Sequence, residues 1–306
     1  MAIKNPRNKI SGWIALDKPY GMGSTQALAK VRWLFNAEKA GHGGTLDPLA
    51  TGLLPIALGE ATKTVQWAMD GQKTYQFRVQ WGSETTTDDL EGTTISTSVS
   101  RPSQNDIESI LSQFIGEVDQ TPPAFSAIKI DGERAYDLAR AGAAPEMQPR
   151  LVTIESLKLR DGSNPEYADF ELVCGKGTYV RSLARDLGRA LGCLGHVSAL
   201  RRTQVGALHE NQMISLAMLE ELSHKPADQG ALQKALHSIE TVLDGIPALA
   251  VLEKDAARLR QGQKVLLRGA NAPISEAAVL IRCENQPIGI GEISQGFLKT
   301  KRLFNL

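Results

Sequence analysis

The densest chemical signal in the chain is one loop, Gly41-His42-Gly43-Gly44-Thr45-Leu46-Asp47-Pro48-Leu49-Ala50-Thr51-Gly52. Glycines admit left-handed or closely approached backbone and a proline after an acid fixes a turn, so this segment can hold Asp47 and His42 rigidly. A carboxylate so placed can attack or stabilise a sugar carbon, or remove a proton. By itself, an Asp-Pro in a glycine-rich turn reads first as a structural turn. The loop has neither the G-K-[ST] ending of a phosphate loop nor the spacing G-x-G-x-x-G, so no nucleotide cofactor is expected. Elsewhere, Tyr75 opens an alternating stretch and reads first as a core tyrosine, Arg181 reads first as one member of a solvated arginine stripe, and Tyr179 and Leu200 read as ordinary apolar wall.

The elements that must carry these residues follow from periodicity. A strand is expected at Gly12–Leu16, then a helix capped by Ser24 or Thr25, with Ala27, Leu28, Val31, Leu34 and Phe35 at helical spacing. Thr74–Trp81 alternates as a half-buried strand does, with Tyr75, Phe77, Val79 and Trp81 on one face. Ile107–Phe114 reads as a short amphipathic helix, and Thr121-Pro122-Pro123 ends it. From there to Arg150 the chain reads as a thumb-like flap, residues 122–150, with a helical piece at Arg134–Arg140 and with Lys129, Arg134 and Arg140 available to phosphates. Strands are expected at Leu151–Leu159 and Asp169–Cys174. Tyr179–Leu191 should be a helix with Val180, Leu183, Leu187 and Leu191 on one side and Arg181, Arg185 and Arg189 on the other. Pro247–Leu252, Val265–Leu267, Val279–Ile281 and Ile288–Ile290 form a β-rich end, which divides the chain into residues 1–245 and 246–306. Strands mixed irregularly with helices favour an α+β fold.

Composition bounds the possibilities. With 42% hydrophobic and 22% charged residues the chain is an ordinary folded protein. Its formal net charge is zero, but the charge is segregated: from Glu84 to Asp119 there are eight acidic residues against Arg101 alone, and from Cys174 to Val205 six basic residues against Asp186 alone. Such segregation allows one basic face, which would bind nucleic acid in a salt-sensitive way, or simply scattered solvated charge. The three cysteines show no C-x-x-C spacing, and His196, His209, His224 and His237 form no ligand pattern, so neither a disulfide framework nor a metal site is expected. No signal sequence opens the chain and no run reaches the roughly 18 apolar residues of a membrane span, so a soluble cytoplasmic protein is expected.

The motif GHGGTLDPLATGLLP resembles the catalytic motif of the TruB-type tRNA pseudouridine synthases. So do LDKPYGMGS, KTYQFRVQWGSETTTDDLEG, QTPPAFSAIKIDGERAYDLAR, CGKGTYVRSLARDLG, ALRRTQVG and the terminal KRLFN, and the likeness covers most of residues 12 to 210. One departure is Gly23, where similar proteins usually carry Thr.

The resemblance implies a pseudouridine-synthase-like α+β fold, a mixed and largely antiparallel sheet flanked by helices, followed by a small PUA-like C-terminal RNA-binding domain. It implies isomerisation of uridine-55 in the T-arm of tRNA, in which the flipped-out uracil is detached, turned and rejoined through carbon, with no cofactor and no metal. Asp47 matches the catalytic aspartate and Tyr75 the tyrosine that stacks on the target base. Tyr179 and Leu200 match pocket residues, Arg181 the arginine that pairs with the aspartate, and His42 a histidine that braces the space left in the RNA loop. No protein partner is implied, and a monomer is expected. Two other readings stay open at this stage: a protein that only binds or folds RNA, and a nucleosidase or glycosidase. The latter would want two carboxylates, and only one lies in a persuasive motif.

Overall fold

The structure is a computed structural model that describes residues 7–126, 128–130, 132–142, 145–162, 164–224, 230–269 and 271–306. A ten-stranded mixed sheet organises the first four-fifths of the chain. Its main path runs, in spatial order, Ile214–Ser215, Gly12–Lys18, Thr51–Leu58, Gly195–Val205, Lys73–Trp81, Tyr167–Cys174, Arg150–Leu159 and Gly116–Gln120. Two pairs on that path are parallel, Gly12–Lys18 with Ile214–Ser215 and Thr51–Leu58 with Gly195–Val205, and the others are antiparallel. The expected α+β architecture with a mixed, largely antiparallel sheet is therefore the one observed.

The Lys73–Trp81 strand shows how pattern becomes structure. Its burial alternates without a break, so Lys73, Tyr75, Phe77, Val79 and Trp81 all face inward. Phe77 stacks on Phe170 from the neighbouring strand with ring centroids 5.2 Å apart. Against this face lies the Val180–Ala190 helix, which meets the sheet through Val180, Leu183, Ala184 and Leu187. It comes very close. A Cβ on Gly188 would lie 2.3 Å from the amide nitrogen of Gly195, so only glycine lets the helix settle on that strand.

Three local expectations are revised. Ser24 is the first residue of the Ser24–Leu34 helix rather than its cap; Gly23 occupies the cap, where its N–H donates to Gln26 Oε1 at 3.1 Å. The helix expected at 107–114 begins at Gln104, capped by Ser103, and tightens into a 3-10 turn from Leu111. The third revision concerns the arginine face of the Val180–Ala190 helix, expected as a basic or solvated stripe. Arg181 and Arg185 are only 6% and 8% exposed, because the acidic 84–89 segment folds over them.

Within the 122–150 stretch the structure places a two-stranded hairpin, Lys129–Ile130 with Glu133–Arg134, and the helix Ala135–Arg140. Lys129 is exposed; residues 127, 131, 143 and 144, and the side chains of Arg134 and Arg140, lie outside what is described. The C-terminal unit is a five-stranded sheet whose first strand is Ala248–Ala250, with the helix Glu253–Arg260 against it. Its strand Glu276–Cys283 is buried on both faces. Val279, Ile281 and Cys283 enter the unit's own core, whereas Leu280 joins Ile290 and Phe304 against Trp13, Ala57, Ala61 and Ala68 of the larger body. The two units thus share an apolar seam, clasped at its rim by Lys63 Nζ on the Leu303 carbonyl at 2.7 Å and by Asn305 N–H on Glu60 at 2.7 Å.

Because a Cβ at Gly188 would fall on the Leu194–Gly195 backbone, Gly188→Ala overpacks the helix seat. Chemical denaturation should then show a loss of about 1–3 kcal/mol, and an unchanged midpoint would contradict the close approach.

Candidate active site

Asp47 sits at the wall of a cavity of about 1230 Å³, and Tyr75, Tyr179, Arg181 and Leu200 line the same cavity. That volume exceeds what a single small ligand fills. Five of the six residues singled out from the sequence are brought together there. His42 is not among the lining residues: it lies on the short strand Ala40–His42, two positions before Gly44, which does line the cavity. Its Nδ1 is buried without a hydrogen-bond partner, and burial lowers its pKa, helped by the charge of Arg202.

The loop that presents Asp47 is pinned from several directions. Ser24 Oγ donates to the Leu46 carbonyl at 2.7 Å and accepts from the Leu46 N–H at 2.8 Å, which explains why that serine is buried in the helix instead of capping it. Lys18, fully buried, donates to the carbonyls of Pro19, Met22 and Pro48 at 2.9, 2.7 and 3.1 Å, and Gly21 N–H donates to the same Pro48 carbonyl at 2.9 Å. The other end closes at Gly52. With φ at +93°, and with a Cβ that would fall 2.3 Å from the Arg202 carbonyl, this position requires glycine.

Arg181 supplies the charge opposite the aspartate. Its Nε lies 2.8 Å from Asp47 Oδ2, and its Nη2 lies 3.4 Å from Asp47 Oδ1. Asp89 adds a second carboxylate at 3.7 Å, while the remaining donors reach the carbonyls of Thr87 at 3.0 Å and Phe125 at 2.9 Å. Asp89 is itself held by the Thr87 hydroxyl and by the Glu91 N–H. The Asp47 side chain stays 37% exposed and reaches the cavity with its geometry set. One turn along the helix, Arg185 pairs with Asp88 at 3.0 Å, and a turn further Arg189 grips Glu84 with two donors at 2.7 and 2.9 Å. Burial nonetheless pushes Asp88 up to about 6, against the pull of Arg185.

Tyr75 is buried, and burial raises its phenol's pKa; Arg202 opposes that rise. Burial likewise raises Tyr179. Leu200 reaches the cavity from a strand interrupted by two bulges, between Val197 and Ala199 and between Arg202 and Gln204, which re-aim the side chains along it. The sequence reading passed over four residues that build the site: Lys18, Lys73, Asp89 and Arg202. Each lay inside a quoted motif, and Lys73 also lay on the inward side of an alternating strand, which is the signal that could have found it.

The fold is that of the pseudouridine synthases. A chain of a solved Cbf5-Nop10-Gar1 complex aligns with TM-score 0.75 at 24% identity over 95% of this chain and 84% of that one. An H/ACA RNP bound to a substrate RNA containing 2′-deoxyuridine aligns with TM-score 0.75 at 23% identity over 96% of this chain and 85% of that chain. Family models match along nearly the whole length: TruB family pseudouridylate synthase, N-terminal domain, over residues 32–180; tRNA pseudouridylate synthase B C-terminal domain over 181–244; and pseudouridine synthase II TruB, C-terminal, over 247–304. A Bradyrhizobium diazoefficiens protein named tRNA pseudouridine synthase B is 54% identical over 99% of this chain and 88% of its own length. One of the same name from Sinorhizobium medicae is 48% identical over 98% of both chains. The chain belongs to the TruB family of pseudouridine synthases.

The buried lysines make a prediction about stability. Burial lowers both Lys18 and Lys73 from 10.5 to about 8. Between those values the unfolded chain holds more protons than the folded one, so the unfolding free energy should rise with pH from about 8 to 10.5. Urea melts across that range should show the rise, and Lys73→Met should make it shallower.

Proposed function

We propose that this protein converts uridine-55 in the T-arm of tRNA to pseudouridine, with Asp47 as the catalytic carboxylate. The observation that carries the reading is the Asp47–Arg181 pair, held at 2.8 Å in a cavity walled by Tyr75, Tyr179 and Leu200. The relatives' shared name, tRNA pseudouridine synthase B, supports tRNA as substrate, and the motif resemblance supports the T-arm uridine. The base must leave its stack to reach this cavity, which costs a few kcal/mol that new contacts must offset. Tyr75 offers a ring on which the extruded uracil stacks, and Tyr179 and Leu200 enclose it. Asp47, oriented by Arg181, faces the ribose, where it attacks or stabilises the anomeric carbon or removes a proton.

His42, set just outside the cavity with a free ring nitrogen, suits the role of bracing the RNA loop after the base has left it. The 122–150 segment closes over the bound loop, its exposed Lys129 available to phosphate. The C-terminal sheet, with nine basic and five acidic residues from Pro247 onward, extends the RNA-binding surface. The arginines of the 174–205 segment contribute less to phosphate binding than their number promises. Arg181, Arg185 and Arg189 are matched by acids of the 84–89 segment and Asp47, and Arg201 by Asp17 and Glu210.

Asp47→Asn keeps the side chain's size and removes its charge. Single-turnover conversion of uridine in a T-arm hairpin should fall by at least about 100-fold, while equilibrium binding of the same RNA stays near its original strength. Near-normal conversion would sink the assignment. Arg181→Met should lower both turnover and affinity, because it frees Asp47 and also unlatches the Thr87 and Phe125 carbonyls.

A further inference from the structure

Two cations line the cavity, and among the described residues no acid forms an ion pair with either; Asp70, the acid whose charge reaches Lys73, is paired with Lys176 at 2.8 Å. Strand alternation sends Lys73 inward beside Tyr75, and the register of the adjoining strand sets Arg202 directly opposite Tyr75. Both side chains line the cavity, yet the residues are only 6% and 2% exposed. Their polar partners are neutral. Lys73 Nζ donates to the carbonyls of Met69 and Gly71, and Arg202 donates to Leu53, Gly44 and Thr45 carbonyls at 2.8, 3.0 and 3.4 Å. Among the described residues neither has a carboxylate within ion-pair distance, in contrast to Arg181, Arg185 and Arg189. Cys174, across the sheet from Lys73, is a buried thiol whose pKa is pushed up to about 11, so it does not supply the missing charge.

Burying one unmatched cation is costly and burying two side by side is costlier. On the Asp47 side of the same cavity Asp47 and Asp89 share Arg181, and buried Lys18 adds a second cation under the loop. The pocket therefore carries its paired carboxylates beside Asp47 and two cations met only by backbone carbonyls beside Tyr75, the ring on which the function proposed above stacks the base. An anion seated against Lys73 and Arg202 would complete the charge balance.

The reaction generates such an anion. When the C1′–N1 bond breaks, its electron pair leaves with the base as uracilate, and C1′ is satisfied either by an Asp47 oxygen or by loss of a ribose proton. Rejoining through C5 restores the bond to C1′ and either releases the Asp47 oxygen or takes back the ribose proton; the C5 proton then departs and N1 takes one up, so atoms and charge balance. Resting on the function proposed above, we propose that Lys73 and Arg202 form the base-anion site, a cationic floor that stabilises and retains the detached uracil while it turns. Preorganised charge of this kind acts on the transition state for detachment and not on the resting RNA complex.

The test uses the full-length protein and a T-arm hairpin carrying either uridine or 4-thiouridine at the target position. Sulfur at C4 spreads the charge of the detached base and so lessens its need for outside stabilisation. Lys73→Met should slow single-turnover conversion of uridine by about 10- to 100-fold with RNA affinity within about twofold, and Lys73→Arg should restore most of the rate. The deficit should shrink with 4-thiouridine. Arg202→Met should behave similarly but also risks displacing the Gly44 and Thr45 carbonyls, so Lys73 is the deciding position. A deficit equal for the two bases would overturn the inference, as would an unaltered rate. A loss of affinity with a flatter salt dependence would overturn it too, by assigning the two cations to an RNA phosphate. Wild-type conversion of the uridine hairpin separates these outcomes from failure of the functional reading itself, since that reading falls only if the unsubstituted protein does not convert it.

Discussion

A guanidinium that water barely reaches must have its charge and its N–H donors met by the protein, and Arg181 imposes that condition on the whole site. It takes Asp47 from the glycine-rich loop, Asp89 and the Thr87 carbonyl from the acidic segment, and the Phe125 carbonyl from the stretch after the prolines. These groups are far apart in the chain, so satisfying one buried side chain assembles three loops around the cavity. Leaving a buried charge half-paired costs on the order of 3–5 kcal/mol, which is why the arrangement is defined and not one among many. Arg185 and Arg189 repeat the device on successive turns and draw the acidic segment along the helix.

Where acids are not used, backbone carbonyls are. Lys18, Lys73 and Arg202 are all buried and are all solvated by carbonyl oxygens of neighbouring loops. Carbonyl dipoles orient a cation and fix the loop that bears them without cancelling its charge. Lys18 thereby fastens the turn after the first strand to Pro48, and Arg202 fastens Gly44 and Thr45, so the residues on both sides of Asp47 are held by cations. The same choice leaves the floor of the cavity electropositive, which couples the architecture of the loop to the chemistry performed above it.

The C-terminal sheet is tied into this arrangement through packing. Leu280, Ile290 and Phe304 cover Trp13, and Trp13 Nε1 donates to the Thr64 hydroxyl at 3.2 Å beneath them. Trp13 belongs to the strand that continues to Lys18, so the seam between the units buttresses the strand whose last residue holds the Pro48 carbonyl beside Asp47.

Periodicity in the sequence determined the local elements: the alternating strand at Tyr75, the helix beginning after Tyr179 and the strands of the C-terminal unit follow from side-chain spacing, because burial on one face demands it. Motif resemblance placed Asp47, Tyr75, Tyr179, Arg181 and Leu200 in one site. Tertiary structure alone decided the strand Thr51–Leu58, whose Gly and Pro disguise it and which is held in the sheet by pairing with Gly12–Lys18. It also decided the fate of the charges. A cluster of arginines and a cluster of acids look like two surface patches when read along the chain, and only long-range folding shows that each was the other's partner. Lys73 and Arg202 are the converse case: spacing can put a cation on an inward face, but whether an acid, a carbonyl or nothing at all meets it there depends on which distant segment arrives, and no local pattern encodes that.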